Sequence, residues 1–320
     1  GEENKRFTCR ITNWLKVFIR HLYPLLRQKT VLRCLHPYSA ERGFPMATLL
    51  LASMLMLNDV ELYYEVHGGD GPPLLLIAGL ASDVSSWQSV LPGLSENFRV
   101  IVVDNRGIGR SVPEDVPVSV DLMADDCAAL IDHLGYGPVH VLGHSMGGFT
   151  ALSLAARHPE KVNKLVLAAA GEKSSSRNTL LFSDLADRYD RGGDLADFFR
   201  MIFYWIFSSA FFEDEDTVNG AIEFALSYPY PQTPVSFRNQ VKAIETFDGR
   251  GIAGSINAPA LVLAGTEDLL FSAAAGPELA KKFPRGTFLA IDGAAHSIHA
   301  EKPEIFAEAV IRFLKEGSNP

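Results

Sequence analysis

Gly143-His144-Ser145-Met146-Gly147 places a serine between two glycines, each two residues away. An apolar run, 139–142, precedes it, and a helix-like stretch, 148–156, follows. At such a strand-to-helix turn the serine hydroxyl is lifted clear of the backbone, where a base can reach it. A Cβ at either glycine would strike the neighbouring strand or helix. A hydroxyl is a poor nucleophile near neutral pH. It needs a base within hydrogen-bond reach, an acid to orient that base, and donors for the oxyanion formed on attack. The chain offers a candidate for each.

His296 is the candidate base. It lies in Asp292-Gly293-Ala294-Ala295-His296-Ser297-Ile298-His299, a loop between an expected last strand and an expected last helix. Catalytic groups gather beyond the carboxyl ends of strands in α/β sheets. His299 is the rival, less favoured because it is already entering the following segment. His144 reads as a supporting hydrogen-bond partner. His67, His133, His140 and His158 are scattered and read as structural. The orienting acid is expected in Gly265-Thr266-Glu267-Asp268, with Asp268 preferred to Glu267 because it sits further into the loop. The backbone N–H of Met146 is one expected oxyanion donor. The second is expected from Ala78-Gly79-Leu80-Ala81-Ser82, with Leu80 as the donor and Gly79 allowing close approach.

These residues need strands and helices to hold them. Residues 60–66 alternate at period two, like a half-buried strand. Residues 74–77 and 100–103 are short apolar runs, as in strands covered on both faces. Val120, Met123, Ala124, Cys127, Leu130, Ile131 and Leu134 keep helical spacing, and Gly135 ends that helix. Strand 138–142, helix 146–157 and strand 164–169 follow. Later come strand 260–264, helix 273–283, strand 287–291 and helix 303–315. This alternation predicts an α/β fold: a mostly parallel sheet with helices on both faces. Residues 172–250 break the rhythm and read as an inserted helical cap. Eight of the fifteen residues 198–212 are aromatic, which predicts a helix covered on more than one side, part of it roofing a pocket. The domains are thus 46–171 with 251–320 as the core and 172–250 as the cap.

The chain has 320 residues, 47% hydrophobic and 21% charged, an ordinary globular composition. A net charge of −9 argues against general nucleic-acid binding. Residues 1–45 hold nine Lys/Arg against three Asp/Glu, a balance of +6 that leaves −15 for the rest. Residues 11–26 are basic and apolar, as a membrane-surface helix would be, but Pro24 interrupts them. They read better as part of a dispensable, added or disordered extension, with Met46 resembling a natural start. The run 47–57 is too short to span a bilayer. Cys9, Cys34 and Cys127 lack metal-ligand spacing and look like reduced thiols of a cytoplasmic protein, Cys127 as a core residue. No cofactor or metal is expected.

The order Ser145, Asp268, His296 is that of the α/β-hydrolases. From about residue 57 onward the chain resembles that superfamily. The resemblance rests on 143–148, on Asp104-Asn105-Arg106-Gly107-Ile108-Gly109-Arg110-Ser111, on Gly-Thr-Glu-Asp at 265–268, and on His296 followed by Glu301-Lys302-Pro303. Within it the chain is most similar to capped esterases near the 3-oxoadipate enol-lactonase and carboxylesterase group. The resemblance implies an eight-stranded sheet, a lid after the sixth strand and an acyl-enzyme. Ser145 sets the chain apart from the dehalogenases and epoxide hydrolases of the superfamily, which carry aspartate there. One departure is Ala78-Gly79, where His-Gly is usual, which puts the rigidity of the turn in question. The leading reading is hydrolysis of a small apolar or aromatic ester, or of a lactone. A carbon–carbon hydrolase is an alternative, with Arg177, Arg188, Arg191, Arg200 or Arg238 holding a carboxylate. A low-turnover binding protein is the third.

Overall fold

The computed structural model describes residues 49–316. The expectations for residues 1–45 lie outside them. Eight strands form one sheet in the order β1-β2-β4-β3-β5-β6-β7-β8. They are β1 Leu49–Leu57, β2 Val60–His67, β3 Pro73–Ile77, β4 Arg99–Val103, β5 Val139–His144, β6 Val162–Ala168, β7 Ala260–Gly265 and β8 Gly286–Ile291. β2 runs antiparallel to β1 and β4, and the remaining pairings are parallel. The expected eight-stranded, mostly parallel α/β sheet is therefore present. β1 was not foreseen: its run of leucines and methionines was weighed only as a bilayer segment, whereas it pairs along β2 as the sheet edge.

The apolar runs become strands because both faces of the sheet are covered. Along β3, Leu75 and Ile77 join one core, with Phe149, Leu152 and Met123. Leu74 and Leu76 join the other, with Trp87, Phe98, Phe306 and Val310. Each such buried aliphatic side chain contributes about 1.5–3 kcal/mol. The helices are α1 Leu91–Ser95, α2 Val120–Leu134, α3 Met146–Arg157, α4 Ser176–Asp190, α5 Leu195–Ile206, α6 Glu215–Leu226, α7 Pro234–Thr246, α8 Gly276–Lys282, α9 Ile298–Glu301 and α10 Pro303–Lys315. In α2, the Ser119 hydroxyl accepts the Leu122 N–H, and Gly135 closes the helix at φ 65°. Its buried side includes Val120, Met123, Ala124, Cys127, Leu130 and Ile131, as the spacing predicts.

Between β6 and β7 the chain forms α4 to α7 and no strand. Residues 49–208 and 230–316 belong to one compact unit, and residues 209–229, which include α6, do not belong to it. In α6, Asp214 caps the helix by accepting the Asp216 N–H. Tyr189 of α4 stacks on Phe198 of α5, and both meet Phe237 of α7 edge-on. α5 is less enclosed than expected: Phe198 and Phe203 are buried, but Tyr204 is exposed. Among the described residues, no helix is long and apolar enough to cross a membrane.

Candidate active site

β5 delivers Ser145 to the carboxyl edge of the sheet. The residue has φ 55° and ψ −120°, between the end of β5 at His144 and the start of α3 at Met146. Such a backbone costs about 1–3 kcal/mol and persists only where its surroundings enforce it. The Ser145 N–H donates to Ala168 O at 3.0 Å, and its carbonyl accepts the Gly148 N–H at 2.8 Å. The glycines are steric requirements. A Cβ on Gly143 would lie 2.0 Å from Gly147 O, and one on Gly147 would lie 2.0 Å from Ile77 O. A Cβ on Gly148 would meet Ala170 Cβ at 2.3 Å.

The loops after β7 and β8 bring the acid and base together. Asp268 Oδ2 lies 3.0 Å from His296 Nδ1, and both side chains are buried. Asp268 Oδ1 accepts the N–H groups of Leu270 at 2.7 Å and Phe271 at 2.9 Å. A carboxylate can only accept here, so the His296 Nδ1 donates its N–H to Asp268. Glu267 is exposed, and its N–H is tied to Ala294 O. Phe271 stacks on the His296 ring with centroids 5.8 Å apart.

His144 ties the serine turn to the base loop. Its Nε2 donates to His296 O at 2.8 Å, and the two rings lie 4.9 Å apart. Burial holds its pKa well below the usual histidine range, with His299 and His296 adding repulsion, so it serves as a neutral strut. His299 packs on Trp87 and His144 at 4.9 and 4.5 Å. Burial lowers its pKa to about 3, and among the described residues its Nδ1 has no hydrogen-bond partner. Glu301 braces the loop: Oε1 accepts the Ser208 N–H and hydroxyl, and Oε2 accepts the Ala295 N–H. Among the described residues the Ser145 hydroxyl makes no hydrogen bond. Such bonds are often loose before a substrate arrives.

Both segments expected to supply oxyanion donors adjoin Ser145: Met146 follows it in the chain, and the turn at 78–82 packs beside it. The ideal Cβ position of Gly79 is 3.0 Å from Ser145 Cβ, so the turn at 78–82 lies against the serine. Asn105 Nδ2 holds Ala78 O at 3.1 Å, and the Ala81 N–H donates to Gln240 Oε1 at 3.1 Å. Met146 opens α3, where its N–H has no intrahelical partner. Gln240 was not anticipated from the sequence.

The 104–111 motif acts as a brace. Asp104 accepts the Val84 and Arg110 N–H groups, both at 2.8 Å. Burial, with Asp83 nearby, pushes its pKa up to about 7. Arg106 forms a bidentate pair with Asp126 at 2.6 and 2.8 Å. Several of the arginines considered for carboxylate binding are committed elsewhere. Arg238 pairs with Asp187 and Asp190, Arg191 reaches Asp187, and Arg177 bonds Leu269 O beside Trp205. A groove of about 210 Å³ near Gly135, Pro138 and Lys161 lies at the amino end of β5, remote from Ser145.

This fold is that of an α/β-hydrolase. The chain belongs to the alpha/beta hydrolase fold family, which it matches over residues 72–303. It is 30% identical over 268 residues to a protein of Azorhizobium caulinodans carrying the provisional name carbamate hydrolase RutD. The match covers 81% of this chain and 97% of that one. Among solved structures it is similar to the enol-lactonase from Burkholderia xenovorans LB400, with TM-score 0.74 and 28% identity over 82% of this chain and all of that one. It is also similar to a thermophilic esterase from Thermogutta terrifontis, with TM-score 0.71 and 26% identity over 84% and 98% of the two chains. The chain is thus a hydrolase, as expected.

Proposed function

We propose that the chain is a serine hydrolase that cleaves small apolar or aromatic carboxylic esters, or lactones, through an acyl-enzyme. The observation that carries this reading is the buried Asp268–His296 pair at 3.0 Å, tied through His144 to the strained Ser145. Ser145 Oγ attacks the carbonyl carbon while its proton passes to His296 Nε2. Asp268 holds the Nδ1–H tautomer and stabilises the imidazolium. The N–H groups of Leu80 and Met146 receive the oxyanion. As the intermediate collapses, the bond to the alkoxide breaks and His296 returns the proton to it. Water, deprotonated by His296, then attacks the acyl carbon and releases the acid and Ser145. α4, α5 and α7, with their aromatic cluster at Tyr189, Phe198 and Phe237, serve as the lid in this reading.

Ser145→Ala is expected to abolish turnover of a short p-nitrophenyl ester while circular dichroism stays unchanged. Wild-type turnover by that variant would overturn the reading. A second reading, carbamate hydrolysis, is favoured by the name of the Azorhizobium caulinodans relative. It uses the same attack on a carbonyl flanked by nitrogen. Parallel kcat/KM values for an ester, a lactone and a carbamate of matched size separate the two. Engagement of Arg238 and Arg191 in ion pairs weighs against the carbon–carbon reading.

A further inference from the structure

The turn that offers Leu80 lacks the usual His-Gly and is held from outside. Ala81 has φ 57°, in the left-handed region where a residue other than glycine is strained. Asn105 fixes Ala78 on one side of Leu80. On the other side, the Ala81 N–H donates to Gln240 Oε1 at 3.1 Å, from a residue 159 positions later in α7.

Gln240 is fully buried. Its Oε1 also accepts Gln232 Nε2 at 2.9 Å. Two donors converge on one oxygen, so the amide orientation is fixed: reversed, its NH2 would face two donors. Gln232 Nε2 reaches Ser236 Oγ at 3.0 Å, and Ser236 Oγ donates to Gly107 O. A polar stripe at four-residue spacing thus joins the start of α7 to two loops at the site. The other end of the Gln240 amide, Nε2, is buried and has no hydrogen-bond partner among the described residues. An apolar side chain of similar size would fill this place without that orphan donor. The oxygen is what such a side chain would lack.

We propose that Gln240 is a positioning residue: its side-chain oxygen holds Ala81 in the left-handed conformation, aims the Leu80 N–H at the oxyanion and couples the placement of α7 to turnover. The inference rests on the reading of Ser145 as nucleophile and Leu80 as donor. Gln240→Met keeps the volume and removes the acceptor; Gln240→Glu keeps an acceptor oxygen. In Gln240→Met, kcat for a p-nitrophenyl ester is expected to fall about 10- to 100-fold with KM within about twofold, since a donor is misplaced without loss of substrate contacts. The Ki of a trifluoromethyl ketone, whose serine adduct places an oxyanion at the same point, should weaken by a similar factor. Inhibition by the product carboxylate should not change. Gln240→Glu should recover most of the loss. In the wild-type chain, the Ala81 amide should be protected from hydrogen exchange. An unchanged kcat in Gln240→Met, a fall in kcat without weaker ketone binding, or an Ala81 amide that exchanges like an open loop would each overturn the proposal. If Gln240→Met fails to fold, Gln240→Glu and the wild-type exchange rate decide. Loss of this effect beside an inactive Ser145→Ala removes only the Gln240 inference, whereas an active Ser145→Ala removes the functional reading beneath it.

Discussion

Replacing Asp268 by asparagine separates the electrostatic role of this residue from its structural one. Oδ1 holds the Leu270 and Phe271 N–H groups at 2.7 and 2.9 Å, and an amide oxygen can keep both. That fixes the new NH2 where Oδ2 stood, 3.0 Å from His296 Nδ1. Two donors would then face each other. The imidazole relieves this by moving its proton to Nε2, which leaves no lone pair for the Ser145 proton. A base in the wrong tautomer lowers kcat by about 10³- to 10⁴-fold, or roughly 4–5.5 kcal/mol of barrier at about 1.4 kcal/mol per decade. Stability should fall by only about 1.5–3 kcal/mol, the contribution of one hydrogen bond to a charged group. Stopped-flow hydrolysis of p-nitrophenyl acetate near pH 7, beside a urea unfolding curve, measures both. Glu267→Gln is the control and should stay within about twofold of wild type. A kcat for Asp268→Asn within tenfold of wild type would refute the assignment of the acid, and an inactive Glu267→Gln would move it one residue back.

Gly147→Ala places a Cβ 2.0 Å from Ile77 O, and overpacking against backbone costs about 1–3 kcal/mol or more; the urea midpoint should drop accordingly. Arg106→Met should destabilise the chain by about 3–5 kcal/mol by leaving Asp126 buried and uncompensated, with much of the loss recovered in Arg106→Met/Asp126→Leu; a double-mutant cycle in urea reads this. Acid should destabilise the fold from about pH 6.5 downward. His299 and His140 are buried neutral, with pKa values lowered by burial from 6.5 to about 3 and about 4. The unfolded chain therefore takes up protons first, and each histidine removes up to about 1.4 kcal/mol per pH unit between 6.5 and its folded value. A His299→Phe variant that left the slope of stability against pH unchanged would contradict this.

The candidate serine, acid and base were legible as a set because strand ends impose an order on them: each followed an apolar run, and the runs became β5, β7 and β8. Asp268 over Glu267 and His296 over His299 were decided by position; in the structure Asp268 pairs with His296 while Glu267 is exposed, and His299 is as buried as His296 but packs on Trp87 and His144. β1 was missed because its apolar residues do not alternate cleanly, as befits an edge strand with Leu51, Met54 and Met56 exposed. Gln240 was missed for a different reason. A glutamine in line with Ser236 on an amphipathic helix looks like part of a solvent face, and only tertiary packing turns that face toward Ala81 and Gly107. The Arg106–Asp126 pair was hidden likewise, since nothing in twenty residues of separation marks two charges as partners. The strain at Ser145 could be inferred from its flanking glycines, because the close approaches they permit are what the motif encodes.

The central claim is that Ser145 is the nucleophile. Intact-mass measurement after reaction with a fluorophosphonate, followed by peptide mapping, tests it directly. One adduct per chain, located on Ser145 and lost in His296→Ala, is the predicted result. Sustained ester turnover with no adduct, or an adduct on another residue that tracks the loss of activity, would contradict it.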